Sequence, residues 1–299
     1  MQRLSVRHVT SYRYSNPVQF GEHRLMVRPR DSHDLRLLDA TLAIEPHANI
    51  RWVYDVFGNS VAVASFLEAA RTLRFSSEIV IDRFPYVSVN FGIEPYATKL
   101  PFSYSTSEIP DLGQTIERHY AESGHAVADW TRAIIEDPAV DNATEAFLLA
   151  LSQRIREDFQ YVQRHEQGVQ SPEETLSKRS GSCRDYALLM MEAARNVGLA
   201  ARFVTGYLYD PAIYGADHGV TCTGSTHAWV QIYLPGPGWL EFDPTNGGAG
   251  GHNLVPIAVA REPAQAVPIS GTFVGTNNDC LGLEVSVEVR TLNMLEHSA

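Results

Sequence analysis

Ser180-Gly181-Ser182-Cys183-Arg184-Asp185-Tyr186-Ala187-Leu188-Leu189-Met190-Met191-Glu192-Ala193-Ala194-Arg195 is the stretch around which the chain is organised. Tyr186, Ala187, Leu189, Met190, Ala193, Ala194 and Val197 recur at helical spacing. This predicts a helix that starts at Cys183 and stops at Gly198, a residue suited to the position just past a helix end. Ser180-Gly181-Ser182 offers a hydroxyl N-cap and a flexible turn. A thiol at that point meets the positive end of the helix dipole and unpaired backbone N–H groups, both of which favour thiolate over thiol. The arrangement suits a nucleophile. A buried structural cysteine at a helix start is the other reading, and the motif alone leaves both open.

The chain has 299 residues, enough for one large domain or two modest ones, and 44% hydrophobic against 20% charged residues is an ordinary globular balance. A formal charge of −11 argues against nucleic acid and against anionic membrane surfaces as partners. The first fifteen residues show alternation and no apolar core of a signal peptide. No run approaches the roughly 18 apolar residues that a membrane span needs. Three cysteines, Cys183, Cys222 and Cys280, do not resemble a disulfide framework. A reducing, cytoplasmic location is expected.

Working outward, residues 3–14 alternate with period two, placing Leu4, Val6, His8, Thr10, Tyr12 and Tyr14 on one face. Further strands are expected at 20–28, 40–46, 50–56, 60–66 and 71–83, with a hairpin turn at Phe57-Gly58-Asn59. Residues 1 to about 85 therefore read as an all-β, sandwich-like domain. Residues 85–110, with Pro85, Pro95, Pro101 and Pro110, read as a connector. Helices are expected at 111–123, 125–136 and 143–159. In the last, Phe147, Leu151, Ile155 and Phe159 share a face. A polar loop over 163–180 leads into the Cys183 helix. Strands follow at 201–207, 227–233 and 239–243. The last two are joined by Pro235-Gly236-Pro237-Gly238, and a final alternating strand, Leu283 to Val289, must pair somewhere in the sheet. The fold class is α+β.

A cysteine nucleophile needs a base, and the base needs an orienting group. His227 opens one strand of the 227–243 hairpin and Asp243 closes the other, so antiparallel pairing places them side by side. If the Cys183 helix packs on this sheet with its N-terminus at that end, the three residues converge. Asp243 would then fix the imidazole tautomer. His227 would take the thiol proton and later donate a proton to a leaving amine.

Gly181-Ser182-Cys183-Arg184-Asp185-Tyr186-Ala187, Ala201-Arg202-Phe203-Val204-Thr205-Gly206-Tyr207, His227-Ala228-Trp229 and Phe242-Asp243-Pro244-Thr245 together resemble the bacterial transglutaminase-like superfamily. The opening His8-Val9-Thr10-Ser11-Tyr12, Val27-Arg28-Pro29 and Asp55-Val56-Phe57-Gly58-Asn59 are similar to the β-domain that precedes this core in many bacterial members. The resemblance implies a papain-like core, in 106–299, after an N-terminal β-rich domain and linker in 1–105. It also implies a Cys183–His227–Asp243 triad performing acyl transfer on peptide or isopeptide amides through a thioester. The acceptor would be water or an amine; the motif does not choose between them. The Cys183 backbone N–H is the natural first oxyanion donor. Tyr161 and Gln163 are candidates for the second, and Trp229 could pack over the imidazole or line the groove.

No cofactor or metal is expected. A cluster of His218, Cys222 and His227 with Cys183 or Cys280 lacks metal-ligand spacing. Glu117, Glu122 and the acidic residues of 136–141 read as solvated helix faces rather than paired catalytic carboxylates. A peptide or protein substrate is the expected partner. A non-catalytic scaffold that keeps the fold is the alternative from another class.

Overall fold

In the computed structural model, which describes residues 1–84, 91–120, 124–164, 166–210, 221–251 and 253–292, the N-terminal alternation forms five strands. They are β1 (Gln2–Arg28), β2 (Leu35–Glu45), β3 (Ala48–Tyr54), β4 (Ser60–Phe66) and β5 (Ala70–Arg83). The strands expected at 3–14 and 20–28 are one. The pairing of β1 with β5 slips between Arg13 and Val18, a span that contains Pro17. Proline has no N–H to donate and is tolerated at such irregularities, so β1 continues past it. Its first half pairs with β5 and its second half with β4, which lets one strand serve two layers.

The layers explain the unbroken apolar run of β4. Its Val61 and Val63 pack with Leu4, Val6, Ile79 and Ile81, whereas Ala62, Ala64 and Phe66 pack with Phe20, Leu25 and Phe75. A strand buried on both faces has no reason to alternate.

The helices are α1 (Ile109–Ile116), α2 (Ala126–Ile135), α3 (Thr144–Asp158), α4 (Pro172–Lys178) and α5 (Cys183–Asn196). The first ends well short of the expected 123. α4 lies inside the stretch expected to be a polar loop. Ser171 accepts a hydrogen bond from the Glu174 N–H at 3.1 Å and Pro172 opens the first turn. Seven residues are too few to show an apolar period. In α3 the expected face is buried at Phe147, Leu151, Ile155 and Phe159.

The remaining strands are β6 (Gln160–Tyr161), β7 (Ser180–Gly181), β8 (Ala201–Tyr209), β9 (Thr221–Leu234), β10 (Gly238–Asp243), β11 (Gly248–Ala249), β12 (Leu254–Ala260), β13 (Ile269–Val274) and β14 (Cys280–Thr291). Thus β9 begins six residues before His227, ahead of the start expected for that strand, and β12 and β13 lie between the last two expected strands, in a stretch rich in Gly, Asn and Pro. β6 and β7 pair in parallel; among the described residues the other twelve strands form one antiparallel sheet. The final strand finds its place here. β14 pairs with β1 from Leu4↔Thr291 to Tyr14↔Cys280, and with β9 from Val287↔Gly224 to Arg290↔Thr221. The sheet therefore runs from the N-terminal strands into the half that carries α5.

α5 lies on that sheet. Its Ala187, Met190, Met191 and Ala194 share one apolar cluster with Ala228, Val230, Ile232 and Phe242 of β9 and β10. Its far end is pinned by a fully buried ion pair, Arg195 Nη1 to Glu192 Oε1 at 2.8 Å. The same guanidinium donates to the carbonyls of Thr115, Ala201 and Arg261. Those bonds satisfy a charge that burial would otherwise make costly.

The hairpin turn between β3 and β4 docks on β12. Asp55 accepts from the N–H groups of Phe57 and Asn59, and Gly58 takes a positive φ of 74° to close the turn. Buried Asn59 then donates from Nδ2 to the Val259 carbonyl at 2.6 Å and accepts at Oδ1 from the Val259 N–H at 3.0 Å. Asn59→Ala would leave both groups of Val259 without these partners. It is expected to destabilise the protein by about 2–6 kcal/mol, given about 1–3 kcal/mol for each buried polar group left unsatisfied. Urea unfolding of wild type and variant measures this difference; a loss well under 1 kcal/mol would remove Asn59 as the tie between the two.

Candidate active site

The β9–β10 hairpin sets the geometry. Its register runs from Leu234↔Gly238 to Val230↔Phe242. Even-numbered Ala228, Val230 and Phe242 face α5, which puts His227, Trp229 and Asp243 at the opposite parity. Continued one step, the register sets Asp243 against Trp229, so His227 is its diagonal neighbour. The two side chains meet: His227 Nε2 lies 2.8 Å from Asp243 Oδ2, and both residues are buried.

Asp243 is held from three further sides. Thr245 N–H donates to Oδ1 at 3.0 Å and Asn246 Nδ2 to Oδ2 at 2.6 Å. Ser152 on α3 donates to the Asp243 carbonyl at 3.2 Å. Burial alone would favour the neutral acid. The bonds from His227, Asn246 and Thr245, with the charge of His227, outweigh it and keep the carboxyl below its usual range. For His227, burial works against the imidazolium, but hydrogen bonds to Asp243 and Cys183 and their charges prevail, and its pKa is pushed up to about 10. With Nε2 engaged by Asp243, Nδ1 is the nitrogen left for Cys183.

Trp229 is fully buried and stacks on the imidazole, with ring centroids 6.1 Å apart and planes inclined by 26°. It supports the ring and does not line the groove: at this parity its indole points into a small core with Val204 and Leu254. That packing needs Gly206 on β8, the register partner of His227. A Cβ there would collide with the Val255 carbonyl and come within 2.7 Å of the indole.

Cys183 opens α5 through a lock centred on Asp185. This fully buried carboxylate accepts from Ser182 N–H and Ser182 Oγ at 2.8 Å each, from Gln170 N–H at 2.7 Å and from Arg164 Nη1 at 2.7 Å. Burial would raise its pKa; these bonds more than offset that and hold it low. The residue preceding the lock, Gly181, has no room for a side chain, since a Cβ would sit 2.9 Å from the Cβ of Asp185. The signal for the lock was present in the sequence as Ser182-x-x-Asp185, a short capping box. Thr245 and Asn246 were likewise legible as an Asx turn after Asp243-Pro244.

β6 runs beside β7, so that Val162 N–H donates to the Gly181 carbonyl at 2.9 Å and Tyr161 comes to the mouth of the site. A cleft of about 390 Å³ opens there, lined by Tyr161, Gln163, His227, Thr245, Gly224 and Val287 among others. Tyr161 is half exposed; burial of its ring, with Cys183 and the Asp185 carboxylate nearby, raises its pKa. Cys183, His227, Asp243, Tyr161 and Gln163 are thus gathered at one site. Cys222 and Cys280 are not: each packs at the edge of an apolar cluster of the N-terminal strands. His218 and Glu122 lie outside the described residues, and among those described no three His, Cys, Asp or Glu side chains converge as metal ligands.

Residues 4–82 match the bacterial transglutaminase-like N-terminal region, and residues 129–244 match the transglutaminase-like superfamily. An uncharacterized protein of Mycobacterium tuberculosis is 29% identical over 299 residues, covering 96% of this chain and 92% of its own length. The protein-glutamine gamma-glutamyltransferase of Pseudomonas aeruginosa is 32% identical over 130 residues, 42% of this chain and 19% of that protein. Among solved structures, a candidate cysteine protease of Cytophaga hutchinsonii shares the fold, with a TM-score of 0.68 over 98% of this chain and 91% of that one at 19% identity. The α+β arrangement of a cysteine-headed helix on an antiparallel sheet is the expected papain-like core. The chain accordingly belongs to the transglutaminase-like superfamily, with a bacterial transglutaminase-like N-terminal region joined ahead of the core.

Proposed function

We propose that the chain is a cysteine hydrolase that cleaves peptide or isopeptide amide bonds. The observation that carries this reading is the 2.8 Å His227–Asp243 bond beside the thiol at the head of α5. The roles follow from it. His227 holds the proton of Cys183, and Asp243 fixes its ring so that Nδ1 faces the sulfur. Sγ attacks the amide carbon. The oxyanion is met by the Cys183 N–H and, on the facing wall, by Tyr161 Oη or the Gln163 amide. The His227 proton passes to the departing amine as the C–N bond breaks, leaving a thioester. Water, deprotonated by the same imidazole, then releases the acid and restores the thiol.

An amine in place of water would give transamidation with no change of machinery. The similarity to a protein-glutamine gamma-glutamyltransferase over 130 residues favours keeping this as the second reading. Incubation of the protein with a glutamine-containing peptide and a labelled primary amine separates them. A shorter peptide with a new free carboxylate, or glutamate and ammonia from the glutamine side chain, without incorporated label supports hydrolysis; label in the peptide supports transfer.

Cys183→Ala is expected to lower turnover by about 10³-fold or more while thermal unfolding and circular dichroism stay unchanged, because the half-buried thiol is replaced without opening a core cavity. Full turnover in this variant would exclude Cys183 as the nucleophile.

Activity is also expected to follow the proton on His227. A group raised to about 10 is charged through neutral pH and loses its proton only as pH climbs past that value, so kcat/KM should hold to high pH and fall on the alkaline side. Asp243→Asn removes the charge that supports the imidazolium. It should lower kcat/KM by about 10²–10⁴-fold and move the alkaline limb to lower pH. A profile whose alkaline limb is the same in both proteins would contradict this role for Asp243.

A further inference from the structure

The cleft is the fork where two strands part. β9 pairs with β14 only from Thr221 to Gly224; farther along, that edge of β9 pairs with β10 from Val230, while β8 holds the opposite edge from Gly224 to Ile232. β14 continues along β1 as far as Cys280. From Ser286 down to Cys280, its β9-side edge therefore has no strand beside it among the described residues. That open edge starts at the cleft wall, which includes both Val287 and Val285.

The side chains along this edge are unusual for one left open. Edge strands generally carry charges, prolines or bulges that discourage pairing. Here Val285 and Leu283 share the face of Val287 and are 49% and 54% exposed. Leu281 follows at the slip in the β1 register and is 65% exposed. The charged member, Glu284, has the opposite parity and pairs with Arg13 at 2.8 Å. An apolar row leads directly from solvent into the cleft beside His227.

We propose that this edge of β14 is the substrate track: an extended peptide adds to it as a strand and lays alternate apolar side chains on Leu283 and Val285. The inference rests on the catalytic reading above and names its substrate class, peptide segments with apolar residues at every second position next to the attacked amide. Main-chain hydrogen bonds to the free edge would supply affinity, and the apolar row would supply selectivity, which is how strand addition is read. The substrate is therefore a segment that can lie extended along the edge.

The test uses Cys183→Ala protein and two fluorescein-labelled decapeptides. One carries Leu or Val at alternate positions around a central Gln; its mate carries Ser there. Fluorescence polarisation should show the apolar peptide binding at least about tenfold tighter, a difference of about 1.4 kcal/mol. Leu283→Glu, an exposed position, should abolish that preference and create one for a third peptide with Lys at the alternate positions. Equal binding of the first two peptides, or a preference unchanged by Leu283→Glu, overturns the proposal. So does a Leu283→Glu effect confined to sedimentation, which would mean that the edge pairs with a second copy of the chain. Discrimination in the absence of any turnover by wild type would leave the track standing and remove the catalytic reading. Turnover without discrimination would do the reverse.

Discussion

A buried carboxylate 2.8 Å from a buried imidazole is the constraint on which the rest of this molecule depends. Neither group tolerates the interior alone; removing one partner of such a pair leaves an uncompensated charge at a cost of about 3–5 kcal/mol. The fold answers by surrounding the pair. Thr245 and Asn246 turn back on Asp243, Ser152 of α3 ties down its carbonyl, and Trp229 backs the ring of His227 against β8. Gly206 is small because the indole and β12 both press on it.

The second half of the geometry is the head of α5, where the analogous problem is solved with one carboxylate. Asp185 closes the capping box on Ser182 and at the same time collects Gln170 N–H and Arg164. The loop that carries these two residues follows β6, so the lock sets the helix start and the Tyr161–Gln163 wall together. Arg164 also neutralises a carboxylate only two residues from the Cys183 thiol. At the other end of α5, Arg195 joins the helix to Ala201 at the start of β8. The helix is therefore fixed at its head to the 164–170 segment and at its far end to β8, which pairs with the strand that carries His227.

Much of this was legible from local pattern, and the remainder was not, for identifiable reasons. Hairpin topology placed His227 beside Asp243 because the Pro235–Gly238 turn fixes which residues face each other. The α3 face from Phe147 to Phe159 could be read because a long amphipathic helix repeats its signal. Pairing at a distance leaves no such trace. Nothing near Val287 indicates that β14 returns to β1 and touches β9 over only four residues, and so the fork that makes the cleft could not be foreseen. The strands expected at 3–14 and 20–28 left a gap around Pro17, whose local propensity is against a strand, but tertiary pairing on both sides carried β1 through it. α4 was missed for its length, and the role of Asp185 because a capping box shows only its two local members; Arg164 and Gln170 reach it from a different segment.

The central claim is that the thiol at the head of α5 forms a thioester that the His227–Asp243 pair makes and breaks. Acid-quenched mass spectrometry of the protein during turnover of a glutamine-containing peptide measures this directly. The account predicts an acyl adduct on the Cys183 peptide, labile to hydroxylamine and more abundant in Asp243→Asn, where release is slowed. An adduct on Cys222 or Cys280, or turnover that proceeds with Cys183 alkylated, would contradict it.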